Sequence, residues 1–388
     1  MKVLHITPAF APAYAYGGPI SVLRELCFQL ARQGHEVRVL TTDSGGLRRS
    51  LDVPTQTEVR LEERLRVQYC KRLARHSVSL HLLRSLPAYI QWADVVHLTA
   101  VYNFPTLPAL LLCRILKKPV LWSPHGVLQR WAGSRRTCLK AVWEGICRAL
   151  APKQVILHTT SEDEARESGQ RFPGLPVHVI PWGVKTRDLV DRVPQSGRLR
   201  LLYLGRLEEK KGIENLIEAC AILAASSKLE WSLTVAGTGP SAYARSLATR
   251  IRQAGLEARG DVSAKTIQLV GEVSGEDKDW LFAKSDVLVV PSYTENFSVV
   301  VGEALAREMP VITSTGTPWE RVEPMGCGLY VDNSPRSLAD AIESISRLPI
   351  PEMGKRGREW VAREFPWPLT ALRLGQCYQE LVKAQESP

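Results

Sequence analysis

"KVLHITPAFAPAYAYGGPISVLRELCFQLARQGHEVRVLTTD" (residues 2–43) decides the fold class. "KVLHIT" (2–7) is a short β-rich run ending at proline. In "ISVLRELCFQLARQGH" Val22, Leu23, Leu26 and Leu30 recur at helical spacing and Gly34 stands as a stop signal. "EVRVLTTD" (36–43) is strand-like again. A β-loop-α-β opening of this kind starts a parallel α/β sheet covered on both faces by helices.

Working outward, the alternation continues. "RVQYCKR" (66–72), a helical region near 80–92, "DVVHLTA" (94–100), a leucine-rich helix at 107–116 and "PVLWSPHG" (119–126) follow one another. A long amphipathic segment at 130–150, then "QVILHTTS" (154–161) and "VHVIPWG" (177–183), close the first set, and "PWGVKTRDLVDRVPQSG" reads as a linker. The alternation then restarts with "RLRLLYLGRL" (198–207), "GIENLIEACAIL" (212–223), "WSLTVAGTGP" (231–240), "TIQLVGEV" (266–273), "DVLVVPS" (286–292) and "PVITST" (310–315). The expected organisation is two Rossmann-like domains, 1–183 and 184–365, with a last helix at 366–388 that packs back onto the first. Facing each other, two such domains leave a cleft lined by the carboxyl ends of both sheets, where open α/β sheets bind ligands.

A chain of 388 residues exceeds the size at which one core stops growing, and 45% hydrophobic with 23% charged residues is the make-up of a globular protein. Eight scattered cysteines, without a Cys-x-x-Cys or a His pair at ligand spacing, read as reduced thiols in a cytoplasmic protein with no metal. "MKVLHITPAF" lacks the apolar core of a signal peptide, and "LPALLLCRILKKPVLW" (107–122) falls short of a membrane span. The charge is uneven. Residues 1–183 hold 24 Lys+Arg against 13 Asp+Glu, or +11, and residues 184–388 hold 26 against 27, or −1. The basic half suits an anionic partner such as a lipid headgroup layer or a phosphorylated acceptor, or else a plain solvated surface. No aromatic-basic interleaving or recognition motif supports nucleic acid.

The candidate chemical residues follow strands. Gly17 and Gly18 of "YGGP" (16–19) precede a helix whose free N–H groups could receive a diphosphate, or they form a simple turn. In "GRLEEKKG" (205–212) Arg206 and Lys211 lie beside a helix start, so that two cations and a helix N-terminus can converge on one anion; the plain reading makes both surface residues. His125 of "SPHG" stands at another strand exit, where a histidine is structural or a hydrogen-bonding group near neutral pH. "PSYTENFSVVVGEALA" (291–306) places Glu295 after a strand and Glu303 at the front of a helix, where acidic residues also serve the macrodipole alone.

Taken in order, the glycine pair, "GRL-x-x-x-KG", a strand ending near Gly271-Glu272 and Glu295-x7-Glu303 resemble the retaining glycosyltransferases of family 4, which have the two-domain GT-B fold. The resemblance spans nearly the whole chain. It implies that 1–183 binds the acceptor and 184–365 the nucleotide-sugar donor. Gly17 and Gly18 would approach the donor phosphates, Arg206 and Lys211 would neutralise the departing diphosphate, and Glu295 would orient the sugar through its hydroxyls. The amides of Asn296, Phe297 and Ser298 would bind sugar or phosphate oxygens, Glu303 the ribose hydroxyls, and the backbone of Gly271, Glu272 and Val273 the base. His125 would lie close to the transferred sugar. No cofactor is implied beyond the nucleotide-diphosphate sugar, and "SEDEA" (161–165) reads as a capped helix start rather than an Asp-x-Asp metal site.

Retention in this family implies attack on the face from which the diphosphate leaves, with neither glutamate a nucleophile. The implied acceptor is a glycan or lipid-linked carrier in cell-surface polysaccharide or lipopolysaccharide synthesis, at the inner face of the membrane. Other two-Rossmann enzymes, an epimerase or a phosphorylase, or a non-catalytic nucleotide-sugar-binding subunit, are the alternatives. Several positions depart from the family pattern. Asn296 replaces the common glycine, Trp182 and Lys185 stand in "PWGVK" where "PNGVD" is typical, and Phe297 reads as a packing residue. The segment 130–153 carries Arg130, Arg135, Arg136, Lys140 and Arg148 among Trp131, Val142, Trp143 and Ile146. It suits an anionic lipid interface, or an ordinary surface helix with an apolar inner face.

Overall fold

The computed structural model describes every residue except 47–48, 132–133, 135, 187–188, 190–196, 259–264 and 387–388. The chain divides into two compact units, Met1–Gly183 with Trp367–Pro388, and Val184–Pro366. The first contains β1 (Lys2–Ile6), α1 (Gly18–Arg32), β2 (Glu36–Thr42), β3 (Glu58–Glu62), β4 (Leu65–Cys70), α2 (Leu80–Trp92) and β5 (Val95–Thr99). It continues with α3 (Thr106–Ile115), β6 (Val120–Ser123), α4 (Thr137–Leu150), β7 (Val155–Thr159), α5 (Glu162–Arg171) and β8 (Val177–Val179). Its sheet runs β3-β4-β2-β1-β5-β6-β7-β8. All neighbours are parallel save the edge strand β3, which is antiparallel to β4.

The second unit holds β9 (Leu199–Leu204), α6 (Ile213–Ser226), β10 (Trp231–Ala236), α7 (Ser241–Gln253), β11 (Thr266–Gly271), α8 (Gly275–Ala283) and β12 (Val287–Val290). It ends with α9 (Val299–Leu305), β13 (Val311–Ser314), β14 (Gly328–Val331), α10 (Pro335–Ile345) and α11 (Ile350–Glu364). Its all-parallel sheet runs β11-β10-β9-β12-β13-β14. Strand order therefore reverses between β9 and β12, and in open α/β sheets such a reversal opens a crevice beyond the strand ends. The inner strand β12 is apolar and buried throughout, as a parallel sheet covered on both faces requires. Leu201, Leu233, Val287 and Ile312 from the sheet and Leu216, Leu223 and Ile342 from its helices share one core.

The last helix, α12 (Trp367–Glu386), belongs to the first unit and lies against α1, β5 and β6. Where the chain passes out of that unit, Gly183 sits flush on Trp367. A Cβ on it would stand 2.4 Å from the indole, so no larger residue fits.

The amphipathic segment expected from residue 130 forms a helix only from Thr137, because Arg136 takes a left-handed conformation (φ 58°) that a continuous helix cannot include. Arg135 lies outside the described residues. On the inner side of α4, Cys147 lies in the core and Trp143 and Leu150 pack against it, while Glu144 is buried beside them, held by Arg130 at 2.7 Å and by Tyr102.

The face of the first sheet beneath α12 is polar. His5 and His97 are partners in register and stack at 4.5 Å between ring centres. His97 Nδ1 lies 2.6 Å from Tyr378 Oη, His97 Nε2 2.6 Å from Ser123 Oγ, Ser123 Oγ 2.7 Å from His158 Nδ1, and His158 Nε2 2.9 Å from the Ile180 carbonyl. A carbonyl can only accept, so Nε2 of His158 carries its proton and Nδ1 accepts from Ser123. Ser123 in turn accepts from His97 Nε2, whose Nδ1 accepts from Tyr378. The run of bonds is complete with both rings neutral, and burial opposes charging them.

Burial, with neighbouring histidines, lowers His5 and His125 to about 3 and His97 well below its ordinary value; burial and His178, partly offset by the Ile180 carbonyl, lower His158 to about 4. In the unfolded chain each titrates near ~6.5. Below that pH the unfolded state binds more protons than the folded one, so each such histidine removes stability at ~1.4 kcal/mol per pH unit until its folded value is reached. Thermal unfolding should therefore show a steep loss of Tm beginning below about pH 6.5. His5→Leu should flatten that limb without lowering the Tm at pH 8, since both His5 ring nitrogens lack a hydrogen-bond partner. An acid limb of unchanged slope in this variant would contradict the assignment.

Candidate active site

The elements around the β9/β12 reversal bring three of the sequence candidates together. After β9 the chain forms a short 3₁₀ turn, Glu209–Lys211, and Gly212 adopts φ 62° before α6 begins. A Cβ at Gly212 would stand 2.0 Å from the Pro291 carbonyl, so the loop after β9 approaches the end of β12 in a way only glycine permits. Tyr293 N donates to the Lys210 carbonyl at 2.8 Å and joins the two loops again. Across this junction Lys211 Nζ donates to Glu295 Oε1, which also accepts from Ser292 Oγ at 2.8 Å.

Both side chains of the pair are largely buried. Burial alone would raise the Glu295 carboxyl, but Lys211, Lys210 and the bonds from Lys211 and Ser292 outweigh it and hold the group below the usual carboxylate range. Lys210 is lowered, by burial first and then by Lys211 and Arg206, with Glu295 and Glu208 opposing. Two lysines thus act on the Glu295 carboxylate, and a third cation, Arg206, lies further out with Glu208 as its own partner. The Arg206 carbonyl accepts from Tyr203 Oη at 2.9 Å, while its guanidinium reaches Glu208 at 2.7 Å and stays 45% exposed. Such an arrangement is electrostatically short of negative charge and can accept an anion at its open side.

Glu303 is placed differently from expectation. It is the fifth of the seven residues of α9 rather than at its front, so the macrodipole gives no reason for it there. Lys278 of α8 donates to both its oxygens, at 2.7 and 2.8 Å. Lys278 is a residue that sequence reasoning missed, and only the packing of α8 beside α9 reveals it.

Asn296 and Ser298 follow Glu295, with Ser298 in a left-handed conformation (φ 58°) just before α9. Phe297 is buried against Trp319 and Phe365, and its carbonyl accepts from Trp319 Nε1, so its side chain is a packing group. Gly271 ends β11 with its carbonyl bonded to Gly237 N at 2.6 Å, Glu272 is exposed and Val273 half-buried.

In the first unit Gly17 (φ 79°, ψ −152°) precedes α1, with Gly18 as its first residue and Pro19 next. That backbone conformation is open to glycine alone; Pro19 carries no N–H, and Ile20 N donates to the Gly17 carbonyl at 3.2 Å. His125 follows β6 in a left-handed conformation (φ 55°) and stacks on Trp182 at 5.2 Å and 17°, with His158 edge-on to the same indole at 4.8 Å. The departure at Trp182 thus has a structural role. The indole supports the ring of His125, whose Nε2 has no hydrogen-bond partner.

Against known families, residues 16–188 match the model described as Glycosyltransferase Family 4 and residues 185–360 that described as Glycosyl transferases group 1. The chain belongs to the family 4 glycosyltransferases. Among curated relatives, D-inositol 3-phosphate glycosyltransferase of Corynebacterium efficiens is 27% identical over 242 residues, 60% of this chain and 50% of that protein. The match to the Arthrobacter enzyme of the same name covers 49% of it, so the chain spans about half the length of these relatives. In fold, this family 4 member is similar to sucrose-phosphate synthase from Thermosynechococcus elongatus, with a TM-score of 0.75, 22% identity and 99% and 100% of the two chains covered. It is also similar to Anabaena HepE in complex with UDP-glucose, with a TM-score of 0.69, 16% identity and all of both chains covered. The two parallel α/β units are those of the GT-B fold.

Proposed function

We propose that this family 4 member transfers a sugar from a nucleoside diphosphate sugar to an acceptor hydroxyl with retention of configuration. One observation carries the reading: the buried Lys211–Glu295 pair, with Lys210 and Arg206 beside it, stands at the strand-order reversal of the second unit. Departure of a diphosphate places negative charge on the leaving oxygen and positive charge at the anomeric carbon. Cations fixed beforehand stabilise the first without reorganisation. Lys211, Lys210 and Arg206 fill that role. Glu295, kept ionised by the two lysines and Ser292, accepts hydrogen bonds from the sugar hydroxyls and sets its orientation, with the amides of Asn296, Phe297 and Ser298 as further donors.

Glu303 receives the ribose and the segment Gly271-Glu272-Val273 the base, while Gly17 and Gly18 meet the diphosphate and His125 the transferred sugar. The acceptor hydroxyl attacks from the side on which the diphosphate leaves and gives its proton to a phosphate oxygen, so no protein nucleophile, metal or cofactor takes part. The second unit is the donor half and the first the acceptor half. Support for the donor class comes from similar proteins: HepE is described with UDP-glucose, and a mycobacterial relative is named as GDP-mannose-dependent.

The direct test is incubation with UDP-, GDP- and ADP-sugars and a panel of glycan and lipid-linked acceptors, with nuclear magnetic resonance of the product. Acceptor-dependent release of one nucleoside diphosphate, a product of the donor's anomeric configuration, and loss of about 10²-fold or more in Arg206→Ala are expected. An inverted product, or isomerised sugar without acceptor, would overturn the reading.

The same reading places the enzyme on an anionic membrane, where a lipid-linked acceptor resides. Among the described residues no helix is long and apolar enough to cross a membrane. The support is α4, which turns Leu139 (65% exposed), Val142 (62%) and Ile146 (43%) outward together with Cys138 and Ala149. By helical spacing these occupy about a third of the circumference without a charged residue, with Arg148 beyond one margin and Arg136 at the start of the helix, while Lys140 lies inward over the Tyr102 ring. An apolar band bordered by these two arginines complements an anionic bilayer, and the +11 balance of residues 1–183 agrees in sign. Sedimentation with phosphatidylglycerol-containing vesicles should weaken with salt and fall in a Leu139→Glu, Ile146→Glu variant. Salt-independent binding equal to that on zwitterionic vesicles would remove the membrane assignment.

A further inference from the structure

The polar face of the first sheet extends to its edge. His178 on β8 is the register partner of His158 and so points to the same side, toward α12. There it meets two residues one helical turn apart, Cys377 and Glu380. His178 Nδ1 lies 3.1 Å from Cys377 Sγ and 3.9 Å from Glu380 Oε2, and the three atoms all lie within 4.8 Å of one another. Cys377 is buried, His178 half-buried and the Glu380 carboxylate exposed, so one corner of the triangle opens to solvent.

We propose that His178, Cys377 and Glu380 form a binding site for a Zn²⁺-class ion, with water as its fourth ligand. A tetrahedral zinc held ~2.3 Å from sulfur and ~2.0–2.1 Å from nitrogen and oxygen sets its ligand atoms about 3.3–3.6 Å apart. The sulfur and nitrogen are nearly there, and a turn of the exposed Glu380 side chain closes the remaining gap. Thiolate and imidazole favour zinc or cobalt over magnesium or calcium, which seek oxygen. Cys377 binds as thiolate and its proton passes to solvent. A plain sulfur–imidazole hydrogen bond would hold two of these atoms in the same way, and it is what the experiment must exclude.

The position gives the site a purpose. β8 runs into the first passage of the chain between the units, at residues 183 and 184, and α12 follows the second, at 366 and 367. An ion here rivets both segments to the first unit and adds its binding free energy to that unit's stability. The inference rests on the first unit alone, so its fate is independent of nucleotide binding.

The test uses the full chain, freed of metal by a chelator and titrated with CoCl₂ and then ZnCl₂. One equivalent of cobalt should bind, with tetrahedral visible bands and a thiolate-to-cobalt charge-transfer band, be displaced by zinc, and raise the Tm. Cys377→Ser should abolish the charge-transfer band and His178→Ala weaken binding at least tenfold. Glu380→Gln, at an exposed position, should keep the metal-free Tm and still lose affinity, which guards against variants that fail to fold. Absence of saturable binding, a charge-transfer band that survives Cys377→Ser because another thiol such as the exposed Cys138 is the ligand, or unchanged affinity in Glu380→Gln would each overturn the site.

Discussion

The second unit is organised around a charge pair that a protein interior ordinarily resists. Lys211 and Glu295 lose most of their hydration, and a buried ion pair offsets that cost only with good geometry and further hydrogen bonds. Ser292 supplies one such bond, and the approach of Gly212 to Pro291 brings the loops close enough for the pair to form. A hydrophobic pair of similar volume would serve stability as well or better. Retention of the charges therefore fits a site that uses them, because a preformed cation cluster is of value only where an anion arrives.

The first unit meets the converse problem. Its sheet face under α12 carries histidines where aliphatic residues would be simpler, and they are accommodated by neutrality rather than by counter-charges. The one-directional run from Tyr378 through His97, Ser123 and His158 to a carbonyl satisfies each group it includes. It also ties α12 to β5, β6 and β7, so the helix that returns after residue 366 is fixed by polar bonds as well as by the fit of Trp367 against Gly183. His125 sits at the margin of this region, braced by Trp182.

Much of this is legible in the sequence. The parallel strands are apolar, short and bounded by turn residues, and the glycine, Arg-x4-Lys and Glu-x7-Glu signals fall after strands because that is where chains of this fold expose chemistry. What escaped was of three kinds. β3 was missed although Glu58-Val59-Arg60-Leu61-Glu62 alternates, because two apolar residues in five at a sheet edge, Leu61 itself exposed, give a weak signal, and β14 because four residues opening on glycine resemble a turn. The start of α4 was misjudged because periodicity does not report a left-handed residue such as Arg136. The pairings of Lys211 with Glu295 and Lys278 with Glu303 join residues 84 and 25 positions apart, a distance at which only tertiary packing decides who meets whom. The histidine row was hidden likewise, since its members lie on strands that are neighbours in the sheet and remote in sequence.

The central claim is that the buried pair serves an anion and not the fold. It is tested most directly by calorimetric titration of UDP, GDP and ADP into the wild type and into the double variant Lys211→Met, Glu295→Leu. Removing one partner alone would leave an uncompensated charge and cost about 3–5 kcal/mol, whereas the double exchange should leave the protein folded with near-normal stability. The account predicts saturable binding of one nucleoside diphosphate by the wild type and none by the folded double variant. Undiminished binding by that variant would contradict it.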